Sequence, residues 1–89
     1  MHTHPDYILR EAGPDHLLMG APDARGKRRI VRLNESAAFL WRSVAGKTFD
    51  AAALAALLQA EYGLDPAVAE ADAQGIIRSW LQEKLVFES

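Results

Sequence analysis

The sequence predicts an α+β domain in which strands come first and helices follow. Two observations favour this class. Residues 7–33 contain short apolar segments separated by glycine and proline, a pattern typical of strands joined by turns. Residues 34–85 carry apolar side chains at helical spacing, and a capping residue stands before each run. This order indicates a small antiparallel sheet covered by helices.

Three strands are expected in the first third of the chain. The first and second occupy residues 7–10 and 16–19, and the Gly-Pro-Asp sequence at 13–15 supplies a turn between them. The third strand occupies residues 29–33 and has β-branched residues at its centre. Helices are excluded here because the segments are short and interrupted by glycine and proline.

Three helices are expected in the rest of the chain. Asn34 caps the first helix, either Thr48 or Asp50 caps the second, and Asp65 caps the third, with Pro66 at its first helical position. Three helices that pack as a bundle on a three-stranded antiparallel sheet correspond to a winged-helix-like architecture. Residues 85–87 either form a short final strand or simply cover the core.

The apolar arcs of these helices predict the core. Trp41 and Trp80 lie on the arcs of the first and third helices, so both are expected to be buried. Tyr62 belongs to the apolar stripe of the second helix, and Ile76 and Lys84 fall on the arc of the third.

Composition limits the class of protein. The chain has 89 residues, 49% of them hydrophobic and 25% charged, which fits one globular domain. It contains no cysteine, which excludes disulfides, thiolate catalysis and cysteine-ligated zinc. Apolar runs are shorter than the roughly 20 residues of a membrane span. We therefore expect a cytoplasmic protein without membrane partners.

Residues 1–6 are expected to form a flexible tail, and residues 7–89 the folded domain. His2 and His4 resemble part of a metal site, but no third ligand is near in sequence, so neither a metal nor a cofactor is predicted. The sequence also lacks a Ser-His-Asp order, a glycine-rich phosphate loop and a spaced carboxylate pair. The chain is therefore predicted not to be an enzyme.

Charge is distributed unevenly along the chain, whose net charge is −2. Residues 1–47 carry eight basic and five acidic residues, a balance of +3, whereas residues 48–89 carry two basic and seven acidic residues, a balance of −5. Two regions of opposite sign suit a charged polypeptide better than a polyanion.

Several segments resemble the PqqD family, the peptide-carrying proteins of pyrroloquinoline quinone biosynthesis. Residues 31–41 resemble the family's strand-to-helix junction, with its Leu-Asn, Ala-Ala and aliphatic-Trp pattern. Residues 46–48 resemble its next turn, and residues 61–65 the end of its second helix. The resemblance covers residues 7–87, although the basic stretch at 25–29 and the Ala-rich second helix depart from it. Landmarks of its last helix correspond to Asp72, Trp80, Leu81 and Leu85.

This resemblance implies a function. PqqD proteins and related RiPP recognition elements bind the leader of a ribosomal precursor peptide, which a separate modifying enzyme, often a radical SAM protein, then alters. The leader adds as a strand beside the third strand and lies against the third helix. Both elements supply the candidate peptide-binding residues: Arg29, Ile30, Val31, Arg32, Val68, Asp72, Gly75, Ile76 and Ser79.

Two other functions remain open at this point. A winged-helix arrangement can bind DNA through its third helix, but Glu70, Asp72 and Glu83 on that helix would repel phosphates, so nucleic acid is not the expected partner. The chain could also dock to an enzyme without binding a peptide.

Overall fold

The computed structural model describes residues 1–88 and has the α+β architecture that the sequence predicts. Three helices follow a three-stranded antiparallel sheet, and a second, two-stranded sheet joins the ends of the described chain. The elements are β1 (His2–Thr3), β2 (Ile8–Ala12), β3 (Asp15–Met19), β4 (Ile30–Leu33), α1 (Glu35–Val44), α2 (Ala51–Tyr62), α3 (Pro66–Gln82) and β5 (Val86–Phe87).

The three-stranded sheet has the order β2-β3-β4, so β2 and β4 are its two edges. Strands β2 and β3 form a hairpin around Gly13 and Pro14. Gly13 has a φ of 63°, a backbone conformation that glycine adopts without the steric cost of a side chain. The side chains of β4 alternate between the two faces of the sheet, since Val31 and Leu33 are more buried than Ile30 and Arg32.

Each helix begins at a capping residue that the sequence identifies. The side chains of Asn34, Asp50 and Asp65 accept hydrogen bonds from backbone N–H groups in the first turns of α1, α2 and α3. Asp50 rather than Thr48 caps α2. Gly63 ends α2 in the left-handed conformation, with a φ of 64°. These caps satisfy N–H and C=O groups that the helices cannot bond internally.

The core lies between the inner face of the sheet and the helices. Trp41 and Trp80 are 2% and 3% exposed and meet edge to face, with ring centroids 5.3 Å apart. The prediction that both are buried is therefore confirmed. Leucines from the sheet, from α1 and α2 and from the segment before β5 surround them: Leu18, Leu33, Leu40, Leu54, Leu58 and Leu85.

Two residues predicted for the core lie elsewhere. Tyr62, at the last position of α2, is 42% exposed, and its ring packs edge to face on Phe39. Lys84 is not on the arc of α3, because the helix ends at Gln82 and Lys84 has a φ of 60°. This left-handed residue closes the helix, since the N–H of Leu85 bonds to the carbonyl of Trp80 at 2.8 Å. The turn directs Leu85 into the core.

The N-terminal segment differs from the flexible tail that the sequence predicts for residues 1–6. His2 and Thr3 pair with Phe87 and Val86, so β1 and β5 form a ladder. Thr3 is only 9% exposed, and the N–H of His4 donates to the carbonyl of Leu85 at 2.8 Å. Backbone pairing therefore holds this segment against the domain. Ser89, the last residue of the predicted domain, lies outside the described residues.

No helix within residues 1–88 has the length and apolar character needed to cross a membrane.

Candidate functional site

A groove of about 960 Å³ lies between the free edge of β4 and helix α3. Its volume is in the range of pockets that hold ligands. One wall consists of β4 and the residue before it, and the other wall is formed by α3 between residues 71 and 80. The groove therefore brings together the two elements that the sequence analysis selected.

The backbone of β4 offers hydrogen-bonding groups to this groove. The N–H of Gly20 donates to the carbonyl of Arg29 at 2.9 Å, so Arg29 directs its backbone groups toward β3. In an antiparallel ladder this direction alternates from residue to residue. Val31 and Leu33 therefore also bond to β3, while the N–H and C=O groups of Ile30 and Arg32 point toward the free edge.

The α3 wall is formed by residues on one flank of the helix. Asp72, Gly75, Ile76 and Ser79 all line the groove. Gly75 faces open space, because a Cβ atom built on it would have no neighbour within 4 Å. The missing side chain therefore widens the space available beside β4.

The floor and far end of the groove come from residues that the sequence analysis did not assign to the site. Leu58, Tyr62 and Leu64 bring the end of α2 into the lining, and Trp80 contributes from the core. The exposure of Tyr62 is explained by this position at the groove. An aromatic residue in the last turn of a helix was a usable signal, but its spacing also fits a core residue.

Arg29 closes the groove at the end of α3. Its Nη1 donates to the Tyr7 hydroxyl at 3.2 Å and to the backbone carbonyl of Glu83, and its Nη2 donates to the Glu83 carboxylate. The hydrogen bond to Tyr7 and the charge of Glu83 raise the pKa of Arg29 above its ordinary value. The contact also satisfies a carbonyl at the C-terminal end of α3, where a cation is favourable.

The structure brings together eight of the nine predicted site residues along the groove, and Val68 is the exception. Val68 lies near the start of α3 and is 48% exposed. The reason is length: α3 has 17 residues, or roughly 25 Å at 1.5 Å per residue, whereas β4 has four and spans roughly 13 Å. The first turns of α3 therefore extend beyond the strand.

The described residues contain no group of three or more histidine, aspartate or glutamate side chains arranged to hold a metal ion. His4 contacts Asp6 at 3.8 Å, while His2 packs on the ring of Phe87. His2 and His4 therefore contact an aromatic ring and a single carboxylate, respectively.

Comparisons with known proteins agree with this architecture. No curated protein sequence was found to match that of this chain. A solved structure, TbiB1 in complex with the TbiA(beta) leader peptide, shares the fold with a TM-score of 0.74 and 15% sequence identity. The match covers 100% of this chain and 98% of the other. The family model for PqqD, coenzyme PQQ synthesis protein D, matches residues 17–86, and the chain therefore belongs to the PqqD family.

Proposed function

We propose that this protein binds the leader segment of a ribosomal precursor peptide and presents it to a separate modifying enzyme, such as a radical SAM protein. The observation that carries the proposal is the groove between β4 and α3, which has a free strand edge along one wall. Membership of the PqqD family supports it. The shared fold with TbiB1, whose structure contains a leader peptide, is consistent with it.

The binding mode follows from the physics of an unpaired edge. An extended peptide placed antiparallel to β4 would satisfy the outward N–H and C=O groups of Ile30 and Arg32. Such backbone pairing provides affinity without requiring a particular sequence. The side chains of Val31, Ile76 and Ser79 then provide the surface that selects among peptides.

The proposed role is recognition, and the chemistry belongs to the modifying enzyme. Among residues 1–88 no histidine lines the groove, and the Ser36 hydroxyl there donates to the side chain of Asn34 at 3.1 Å. A nucleophile paired with a general base is the usual requirement for covalent catalysis. A cytoplasmic location, which the cysteine-free sequence favours, is part of the same proposal.

DNA binding, the alternative from the sequence, has less support. A helix that reads the major groove approaches phosphates on both sides. The α3 surface carries Glu70 and Asp72, and Glu83 follows the helix, so this surface would be repelled. Docking to an enzyme without peptide binding would leave the groove without a role.

An NMR titration tests the proposal. The probes are synthetic N-terminal segments of any short peptides that the neighbouring genes encode, with duplex DNA as the comparison. We expect one such segment, called the leader probe below, to shift amide signals of β4 and α3. Shifts confined to the β2 edge, or binding of duplex DNA alone, would contradict peptide capture at the groove.

A further inference from the structure

Two arginines flank the apolar centre of the groove edge, and their positions bear on which peptides the groove accepts. We infer that the bound segment carries two acidic side chains three residues apart, with two apolar residues between them. This inference rests on the proposed function and specifies its class of peptide. The arginines are Arg29 and Arg32, and the residues between them are Ile30 and Val31.

The register of an added strand fixes the spacing. In an antiparallel pair each peptide residue lies opposite one residue of β4, and the peptide runs in the opposite direction. The peptide residue opposite Arg32 therefore comes first, and the one opposite Arg29 comes three positions later. Ile30 and Arg32 exchange backbone hydrogen bonds with their partners, whereas Arg29 and Val31 occupy non-hydrogen-bonded positions, where side chains approach most closely.

Arg32 is available for a carboxylate on the outer face of the sheet. Its side chain is 73% exposed, and its contact with Asp15 is a loose one, 3.8 Å from Nε to the nearer oxygen. Opposite charges on directly facing strand residues stabilise the pair, whereas like charges destabilise it. An acidic peptide residue at this position is therefore favoured over a basic one.

Arg29 is available on the inner side, at the closed end of the groove. Its contacts to Tyr7 and Glu83 use the two Nη atoms of a group that has five N–H donors. Its side chain is 44% exposed, so a second carboxylate can reach it. The arriving carboxylate must share Arg29 with Glu83 or displace it. Glu83 therefore competes with the peptide for Arg29, and this competition favours a peptide with a carboxylate at this position over one with a neutral residue.

The two central positions favour apolar residues. Ile30 is 55% exposed, so an apolar residue opposite it removes apolar surface from water on the outer face. The residue opposite Val31 points into the groove toward the α3 wall, where Ile76 lies. The complete pattern is acidic, apolar, apolar, acidic, read from the N-terminus of the peptide.

A library of random peptides displayed on phage tests the inference without knowledge of the natural precursor. Peptides are selected on the wild-type protein, and those that bind equally well to Gly75→Leu, whose groove is filled, are discarded. We expect the remaining peptides to be enriched in two acidic residues three positions apart. Selection on Arg32→Gln should remove the enrichment at the first position, and selection on Arg29→Gln at the second.

Affinities of one selected peptide separate recognition from a structural role for Arg29. Arg29→Gln should weaken binding several-fold and Arg29→Lys should restore part of it, whereas Glu83→Gln should strengthen binding because the competing carboxylate is gone. A purely structural contact predicts that Arg29→Gln and Glu83→Gln both weaken binding. Arg10→Gln, an exposed arginine on the other edge strand, is the matched control and should leave affinity unchanged.

The outcomes distinguish this inference from the proposed function. Failure to recover any peptide that depends on an open groove contradicts peptide capture itself. Recovery of groove-dependent peptides without the paired acidic residues overturns the inference and leaves peptide capture standing. Weaker binding by Glu83→Gln overturns the role assigned to Arg29.

Discussion

The two edges of the three-stranded sheet have opposite surroundings although their sequences are similar. Each has an exposed isoleucine and an exposed arginine: Ile8 and Arg10 on β2, and Ile30 and Arg32 on β4. Ile8 and Ile30 are 56% and 55% exposed and lie in one row, since both face Met19 across the sheet.

Helices make the difference between these edges. On the β2 side, Glu11 forms an ion pair with Arg42 of α1 and a hydrogen bond with the ring of His16 of β3, and the hollow beside the strand measures about 280 Å³. On the β4 side, α3 stands away from the strand and leaves about 960 Å³. The β4 edge therefore has room for one more strand beside it, and the β2 edge has less.

The largest expected effect comes from removing the support under the β4 groove. Trp80 lines the groove while its ring packs on Trp41 and Phe49. Trp80→Ala should lower the free energy of unfolding by about 3–5 kcal/mol, typical of a large core truncation. Urea denaturation followed by circular dichroism measures this change. A loss below about 1 kcal/mol would place Trp80 outside the core.

Filling the space between α3 and β4 should leave the β4 edge, like the β2 edge, without room for an added strand. Gly75→Leu should weaken binding of the leader probe at least tenfold, because the new side chain occupies the place of the peptide. Gly75→Ala is the matched control. It should raise the free energy of unfolding by up to about 1 kcal/mol, because alanine favours helix more than glycine. Isothermal titration calorimetry measures the affinities, and an unchanged affinity of Gly75→Leu would move the site away from α3.

Proline substitutions at the paired isoleucines should have opposite consequences. Ile30→Pro removes an N–H that faces the groove, so the leader probe should bind about tenfold more weakly, while the free energy of unfolding changes little. Ile8→Pro removes an N–H that faces β3, so unfolding should become easier by about 1–3 kcal/mol. Thermal denaturation and calorimetry of both variants measure the two effects. Equal losses of stability would contradict the assigned backbone directions.

The smallest effect concerns Arg32 and Arg10, the exposed arginines of the two edge strands. Arg32→Gln should slow association of an acidic leader probe about two- to threefold and reduce its dependence on salt, because charges at the rim of a site act mainly on the encounter rate. Arg10→Gln, in the same row on β2, should not change the rate. Stopped-flow fluorescence at two salt concentrations measures both rates. Equal slowing by the two substitutions would contradict binding of the acidic probe at the β4 edge.

The local features of this fold could be predicted from the sequence because they depend on neighbouring residues. Asn34, Asp65 and Gly63 act through contacts within a few positions, so the starts of α1 and α3 and the end of α2 were predictable. The alternation of side chains along β4 was predictable for the same reason. The wall residues Asp72 and Gly75 followed from the resemblance to a family.

Features that depend on distant pairing could not be predicted in this way. Arg29 and Glu83 are 54 positions apart, and nothing local in either segment indicates their contact. The strands β1 and β5 have two residues each, too few for a periodic pattern. The direction of backbone N–H groups in β4 depends on its register with β3, which side-chain alternation alone does not determine.

The pairing of β1 with β5 has a consequence for protein engineering. His2 and Phe87 are directly opposed residues of one ladder, so their Cα atoms are about 4.5–5.5 Å apart. A short linker can therefore join the two ends, and new ends can be opened in an exposed loop such as residues 21–28. The same proximity allows this unit to be inserted into one surface loop of a larger enzyme, which would raise the local concentration of a captured substrate.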